Sequence, residues 1–207
     1  MGGIMSAGEE KTSEDIKIVR KEIRRLAMQS RNGLFMQECE EKSRRIMEVF
    51  KQQVQYQNAG LLFLYASYQK EVMTHALIAD ALLAGKRVAL PVSAVIEAVP
   101  RLDFYEITDM AQIRSGYKGI PEPDITDNSI KQKLVTEAPD LLLMPGVAFD
   151  RNRNRLGYGM GFYDRFLQRR VRIPTIAVAY ECQLFEEIPA AAFDYRPDML
   201  ITEEGIY

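Results

Sequence analysis

Six short apolar runs constrain this chain more than any other feature: LLFLYA (61–66), RVALPV (87–92), LDFYEI (102–107), LLLMPG (141–146), TIAVAY (175–180) and MLIT (199–202). Each is too short to be a buried helix, and none approaches the roughly 18 continuous apolar residues of a membrane span. Their aliphatic and aromatic content reads as strand, and the helical segments between several of them imply a largely parallel sheet covered on both faces. Those segments lie at residues 72–83, stopped by Gly85, and at 162–170. Two helices precede the first run. Residues 12–29 carry Ile16, Val19, Ile23 and Leu26 at helical spacing behind a Thr12/Asp15 capping box, and a second segment after Gly33 runs through Cys39, Ile46, Val49 and Phe50 to the polar stretch QQVQYQNAG. The expectation is an α/β fold: a single three-layer domain over residues 13–207, with a largely parallel sheet, helices on both faces and two N-terminal helices. Residues 1–12 are expected to form a disordered extension. Ligands of such sheets bind beyond the carboxyl ends of the strands.

Composition narrows the function classes. With 27 Lys and Arg against 29 Asp and Glu the formal charge is -2, so no global positive field draws the chain to nucleic acid. Cys39 and Cys182 lack CxxC or metal-type spacing, which argues against a disulfide framework or a structural zinc site and points to a reducing cytoplasm. The N-terminal residues lack the apolar run of a signal peptide. The single histidine, His75, has no evident partner as base or ligand, so no nucleophilic triad is expected.

The chemistry concentrates in one loop. From Arg155 to Asp164, glycines alternate at 157, 159 and 161 and the chain then enters a predicted helix. Bare backbone N–H groups leading into a helix start can cradle a phosphate, whereas a plain glycine turn would be the bland reading. Neither GxGxxG nor a Walker sequence is present. Arg151, Arg153 and Arg155 before the glycines, with Asp150 and Asp164 flanking them, favour the cradle. Two other features have a bland and a functional reading side by side. Lys17, Arg20, Lys21 and Arg24 fall on one helical stripe, which is usually a solvated face. Glu71 stands near the start of the predicted helix at 72–83, where the dipole alone would favour a carboxylate. A carboxylate can also accept hydrogen bonds from the N–H groups of a ligand, and nearby Tyr68 offers a ring for stacking.

The run MPGVAFDRNRNRLGYGMGFYDRFL resembles the signature of the 5-formyltetrahydrofolate cyclo-ligase family. Further elements follow in that family's order: Lys17, Arg20 and Lys21 on the first helix, Glu71 to Thr74, Gly85 with Pro91, Gly119 to Pro123, Gln183, Pro189 and Asp194. The resemblance implies ATP-dependent closure of a formylated reduced folate to its methenyl form, with magnesium. It implies ATP contacts at Lys17, Arg20 and Lys21 and along Arg155, Leu156, Gly157, Tyr158, Gly159, Met160, Gly161, Phe162 and Tyr163. Folate contacts are implied at Ala66, Tyr68 and Glu71 and at residues 158–162. Arg155 and Tyr158 would act in catalysis, and Asp164 and Asp194 would hold Mg²⁺. Arg24 and Arg25 keep the solvated reading. The expected partners are small molecules only, with no nucleic acid and no membrane, and the expected state is a cytoplasmic monomer. Two alternatives stay open: a non-catalytic folate- or nucleotide-binding protein of this fold, and an α/β enzyme of phosphorylated sugars or coenzyme A thioesters, against which the loop signature counts.

Overall fold

All six apolar runs become strands of one sheet. The computed structural model describes residues 13–168 and 172–207, so the expected extension at 1–12, Thr12 of the capping box and the predicted helix end at 169–170 lie outside the described residues. In chain order the elements are α1 Ser13–Gly33, α2 Met36–Lys51, α3 Val54–Asn58, β1 Leu61–Phe63, α4 His75–Leu83, β2 Arg87–Ile96, β3 Val99–Ile107, β4 Ile113–Ser115, β5 Pro121–Pro123 and α5 Asn128–Lys131. They continue with β6 Leu141–Met144, β7 Ala148–Asp150, β8 Arg155–Leu156, α6 Phe162–Gln168, β9 Thr175–Val178, β10 Leu184–Phe185 and β11 Met199–Ile201.

The main sheet has the order β11-β9-β6-β1-β2-β3 and is parallel except for β3, which pairs antiparallel with β2. The two-residue period of a strand divides its side chains between two cores. Leu62, Leu64, Leu141, Leu143 and Ile176 pack with Phe50 of α2 and Leu77 and Ile78 of α4. Leu61, Phe63, Leu142, Met144 and Ala177 pack on the other face with Phe104 and with Phe166 of α6. The rings of Phe63 and Phe104 stack with centroids 4.2 Å apart. This is the expected three-layer arrangement. A third core joins Ile23 and Ala27 of α1 to Val147, Ala148 and Leu156, so α1 covers a small second sheet of order β10-β7-β8.

Several details differ from the sequence expectation. Helix α1 runs to Gly33, a turn beyond residue 29, and so includes Arg31. A short helix, α3, forms within the polar stretch read as a helix end. Strands β2 and β3 extend to a tight hairpin through Glu97 and Ala98, both at positive φ (50° and 62°), which is the geometry of a two-residue primed turn. No Asn-Gly or similar pair announces that turn. Helix α4 begins at His75 and not at residue 72, because Thr74 is committed elsewhere: its Oγ1 donates to the Tyr65 carbonyl and accepts from Ser67 N–H at 2.9 Å. Glu71 is therefore outside the helix, and the capping explanation for it is removed.

Candidate functional site

The strand order places a crevice at the centre of the sheet. From β1 the chain moves to β2 on one side, and later fills β6, β9 and β11 on the other, so the connections that leave β1 and β6 diverge at their carboxyl ends. A cavity of about 470 Å³ opens there, within the usual range of small-molecule sites. Tyr65, Ala66, Tyr68 and Glu71 come from the segment after β1, Pro145 from the end of β6, and Arg155, Gly157, Tyr158 and residues 160–164 from the glycine-rich segment. Ser93 and Leu102 of the β2–β3 hairpin and residues 117, 118 and 120–122 of the β4–β5 ribbon complete the wall.

Glu71 is 9% exposed. Its Oε1 accepts the Tyr158 hydroxyl proton at 2.6 Å, and its Oε2 accepts Tyr68 N–H at 3.0 Å. Burial pushes its carboxyl above the ordinary carboxylate range, against the pull of those two hydrogen bonds and of the Arg31 charge. Tyr158 accepts a further hydrogen bond from Arg31 Nη1 at 3.0 Å, and burial raises its own pKa. A second buried carboxylate, Glu122, accepts from Ser93 N–H at 2.9 Å and Tyr117 N–H at 3.2 Å. It pins the β4–β5 ribbon over the hairpin. Burial shifts its carboxyl upward as well.

Arg155, 4% exposed, donates from Nη2 to Asp164 Oδ1 at 2.6 Å, and Tyr195 N–H donates to the same oxygen at 3.0 Å. Asp164 Oδ2 accepts no hydrogen bond among the described residues. Asp194 differs: Arg20 donates to both of its oxygens, at 2.6 and 2.8 Å, and Ala191 N–H adds a bond at 2.8 Å. Asp150 is fully buried and accepts from Asn154 and Ile188, a structural carboxylate. In the glycine loop, Gly159 (φ +102°) and Gly161 (φ +68°) adopt the left-handed region, which an L side chain rarely enters.

Of the residues expected from sequence, the cavity gathers Ala66, Tyr68, Glu71, Arg155, Gly157, Tyr158, Met160, Gly161, Phe162, Tyr163 and Asp164. It does not gather Lys17, Arg20, Lys21, Leu156, Gly159 or Asp194. Lys17 and Lys21 are exposed on α1, and Lys17 pairs with Glu14. Leu156 is buried in the core beneath α1, with its carbonyl bonded to Val147 N–H. Arg24, expected on a solvated face, instead donates from Nε to the Gly157 carbonyl at 2.8 Å. Arg25 does remain at the surface, paired with Glu22. The inward stripe of α1 is thus Arg20, Arg24, Ala27 and Arg31, spaced by four, three and four residues. Sequence reading missed Arg31 and Glu122. Glu122 lies within the Gly119 to Pro123 element of the resemblance, which gave it no role of its own, and for Arg31 the needed clue was the longer helix.

An open α/β sheet with a polar-headed cavity at its switch point defines a small-molecule-binding α/β protein. The comparisons narrow this class: residues 16–203 match the model of the 5-formyltetrahydrofolate cyclo-ligase family, and the chain belongs to that family. It is 31% identical over 166 residues to the 5-formyltetrahydrofolate cyclo-ligase of Mus musculus, covering 73% of this chain and 77% of that one. The cyclo-ligase of Escherichia coli (strain K12) is 31% identical over 151 residues, covering 72% and 81%. Among solved structures, the 5,10-methenyltetrahydrofolate synthetase of Aquifex aeolicus superposes with a TM-score of 0.72 at 29% identity over 91% of each chain.

Proposed function

We propose that this protein catalyses the ATP- and Mg²⁺-dependent conversion of 5-formyltetrahydrofolate to 5,10-methenyltetrahydrofolate, with release of ADP and phosphate. One observation carries the reading: Tyr158 of the glycine-rich loop is hydrogen-bonded to Glu71, so the segment suited to phosphate and the carboxylate suited to a pterin share one cavity. A formyl oxygen is a poor leaving group. Transfer of the γ-phosphoryl group to it breaks the bond to ADP and yields an iminium phosphate; N10 then attacks the formyl carbon, loses its proton and closes the ring as phosphate departs. Such a sequence needs alignment and charge stabilisation and no covalent nucleophile.

In this reading Glu71 accepts hydrogen bonds from the pterin, with Tyr68 and Ala66 beside it. Arg155 stabilises the phosphoryl charge together with the backbone N–H groups of residues 157–161, while Tyr158, whose one hydroxyl proton goes to Glu71, ties that carboxylate to the loop. Bound Mg²⁺ would supply further neutralisation of phosphate charge. The donor set fits such an ion: Asp164 Oδ2 is free of hydrogen bonds among the described residues, and no group of three or more His, Cys, Asp or Glu forms a ready cage there. That suits an ion that keeps water and phosphate oxygens as ligands. Asp194 would join as Arg20 exchanges its carboxylate partner for phosphate, which would unite the expected ATP role of Arg20 and the expected metal role of Asp194 in one event. Lys17 and Lys21 would approach the nucleotide from the same helix. The enzyme would act as a cytoplasmic monomer on small molecules. The experiment is a spectroscopic assay for the methenyl chromophore, with ATP and Mg²⁺ each present and each omitted. Product formed at the full rate without ATP would defeat the reading.

A further inference from the structure

Arg31 lies in the last turn of α1 and is 1% exposed. A cation at that depth ordinarily answers a carboxylate directly. Arg31 makes no ion pair among the described residues, and its Nε is buried without a hydrogen-bond partner. Its Nη1 donates instead to the Tyr158 hydroxyl at 3.0 Å, and its guanidinium carbon stands 5.7 Å from the centroid of that ring. The same hydroxyl donates its proton to Glu71 Oε1 at 2.6 Å. Cation, hydroxyl and carboxylate therefore form a directed chain, in which the hydroxyl accepts from one end and donates to the other. Complementing the helix dipole would explain a basic residue in this turn, but it would not require burial or a specific partner on a loop 127 residues away.

We propose that Arg31 is a positioning residue for the folate: through the Tyr158 hydroxyl it aims the Glu71 carboxylate into the cavity and couples the glycine-rich loop to the folate wall. This rests on the assignment of Glu71 to the folate made above. The groups around Glu71 support it. Tyr158 donates to it from the loop, Tyr65 from the segment after β1 and Tyr163 of α6 lie within its electrostatic reach, while Tyr180 donates to its backbone carbonyl at 3.1 Å. Of the groups acting on its carboxyl, Arg31 supplies the positive charge, and that charge opposes the upward push of burial. Without it the carboxyl moves further up, so Glu71 becomes neutral at a higher pH and accepts pterin N–H groups poorly there.

The test is calorimetric titration of the full chain with 5-formyltetrahydrofolate alone and, separately, with Mg–ATP, across pH, for the wild type, Arg31→Met, Arg31→Lys, Tyr158→Phe and the Met/Phe double variant. The expected result is folate affinity about tenfold lower in Arg31→Met, a difference of about 1.4 kcal/mol, with ATP affinity within about twofold. The loss of folate binding on acidification should begin at higher pH in that variant. Arg31→Lys should restore part of the affinity, and the double variant should be no weaker than the weaker single variant, because both break one chain. Wild-type folate affinity and pH dependence in Arg31→Met would overturn the proposal, as would equal weakening of folate and ATP or additive losses in the double variant. If Arg31→Met does not fold, Tyr158→Phe decides: unchanged folate affinity there overturns the coupling. A wild type that binds no folate would remove the functional reading itself, and this inference with it.

Discussion

Asp164 and Asp194 are both carboxylates paired with an arginine, and the resemblance gives both the same metal role, yet their surroundings differ. At Asp164 a single oxygen takes both Arg155 and a backbone N–H, while the other accepts no hydrogen bond among the described residues and Asp164 lines the cavity. At Asp194 Arg20 closes on both oxygens, outside the cavity lining. The partner chemistry is alike, but the free valence is not. A carboxylate's availability to an ion thus depends on which of its oxygens the fold has already used, which residue type alone does not reveal. Asp164 keeps one oxygen without a hydrogen bond among the described residues, whereas both oxygens of Asp194 are engaged by Arg20.

Asp164→Asn should produce the largest effect. It leaves Arg155, 4% exposed, without its counter-charge, and breaking a buried pair costs about 3–5 kcal/mol of stability. Turnover of the folded protein should fall roughly a hundred- to a thousandfold, the scale of losing an element that stabilises developing charge. Melting and single-turnover measurements on one preparation check both. Asp194→Asn should lower turnover less, by about tenfold, because the change weakens Mg–ATP capture without stripping the cavity wall. Its signature is a raised Mg²⁺ requirement, and an unchanged Mg²⁺ titration would return Asp194 to a purely structural pairing with Arg20.

Gly159→Ala probes the glycine-rich loop that precedes Asp164. At φ +102° an alanine is strained by roughly 1 kcal/mol or more, yet its methyl would meet no atom within 4 Å. The strain should lower the melting temperature by only about 2–4 °C, so a turnover loss of tenfold or greater in the folded protein is expected if the backbone here cradles phosphate; the same melting shift with full specific activity marks a structural turn. Smaller again is the contrast between neighbours on α1. Arg24→Ala removes the bond to the Gly157 carbonyl and should raise the KM for ATP about threefold, a loss well under the roughly 1.4 kcal/mol of a tenfold change. Arg25→Ala disrupts only surface contacts with Glu22 and Gln29 and should leave activity and melting unchanged within error.

The sequence made the frame legible because short apolar runs are a strong signal of strands in a covered sheet: all six found their strands, from LLFLYA in β1 to MLIT in β11, although β2 and the edge strand β3 are partly exposed. What it hid was short or context-dependent. Strands β7, β8 and β10, of two or three residues, carry no usable period. The Glu97–Ala98 turn lacks turn-forming residues, and α4 starts late because Thr74 spends its side chain on Tyr65 and Ser67. In the site, the glycine loop and Glu71 stood out by motif. Arg31 did not, since a basic residue after an expected helix end looks like any surface charge. Only the longer helix and the approach of Tyr158, 127 residues on, give it a purpose.

The most direct test of the central claim is the ultraviolet appearance of the methenyl product when purified protein is mixed with 5-formyltetrahydrofolate, ATP and Mg²⁺. The account predicts product only when all three are present, with one ADP formed for each methenyl group. Equal product without ATP, or ADP release without methenyl formation, would contradict it.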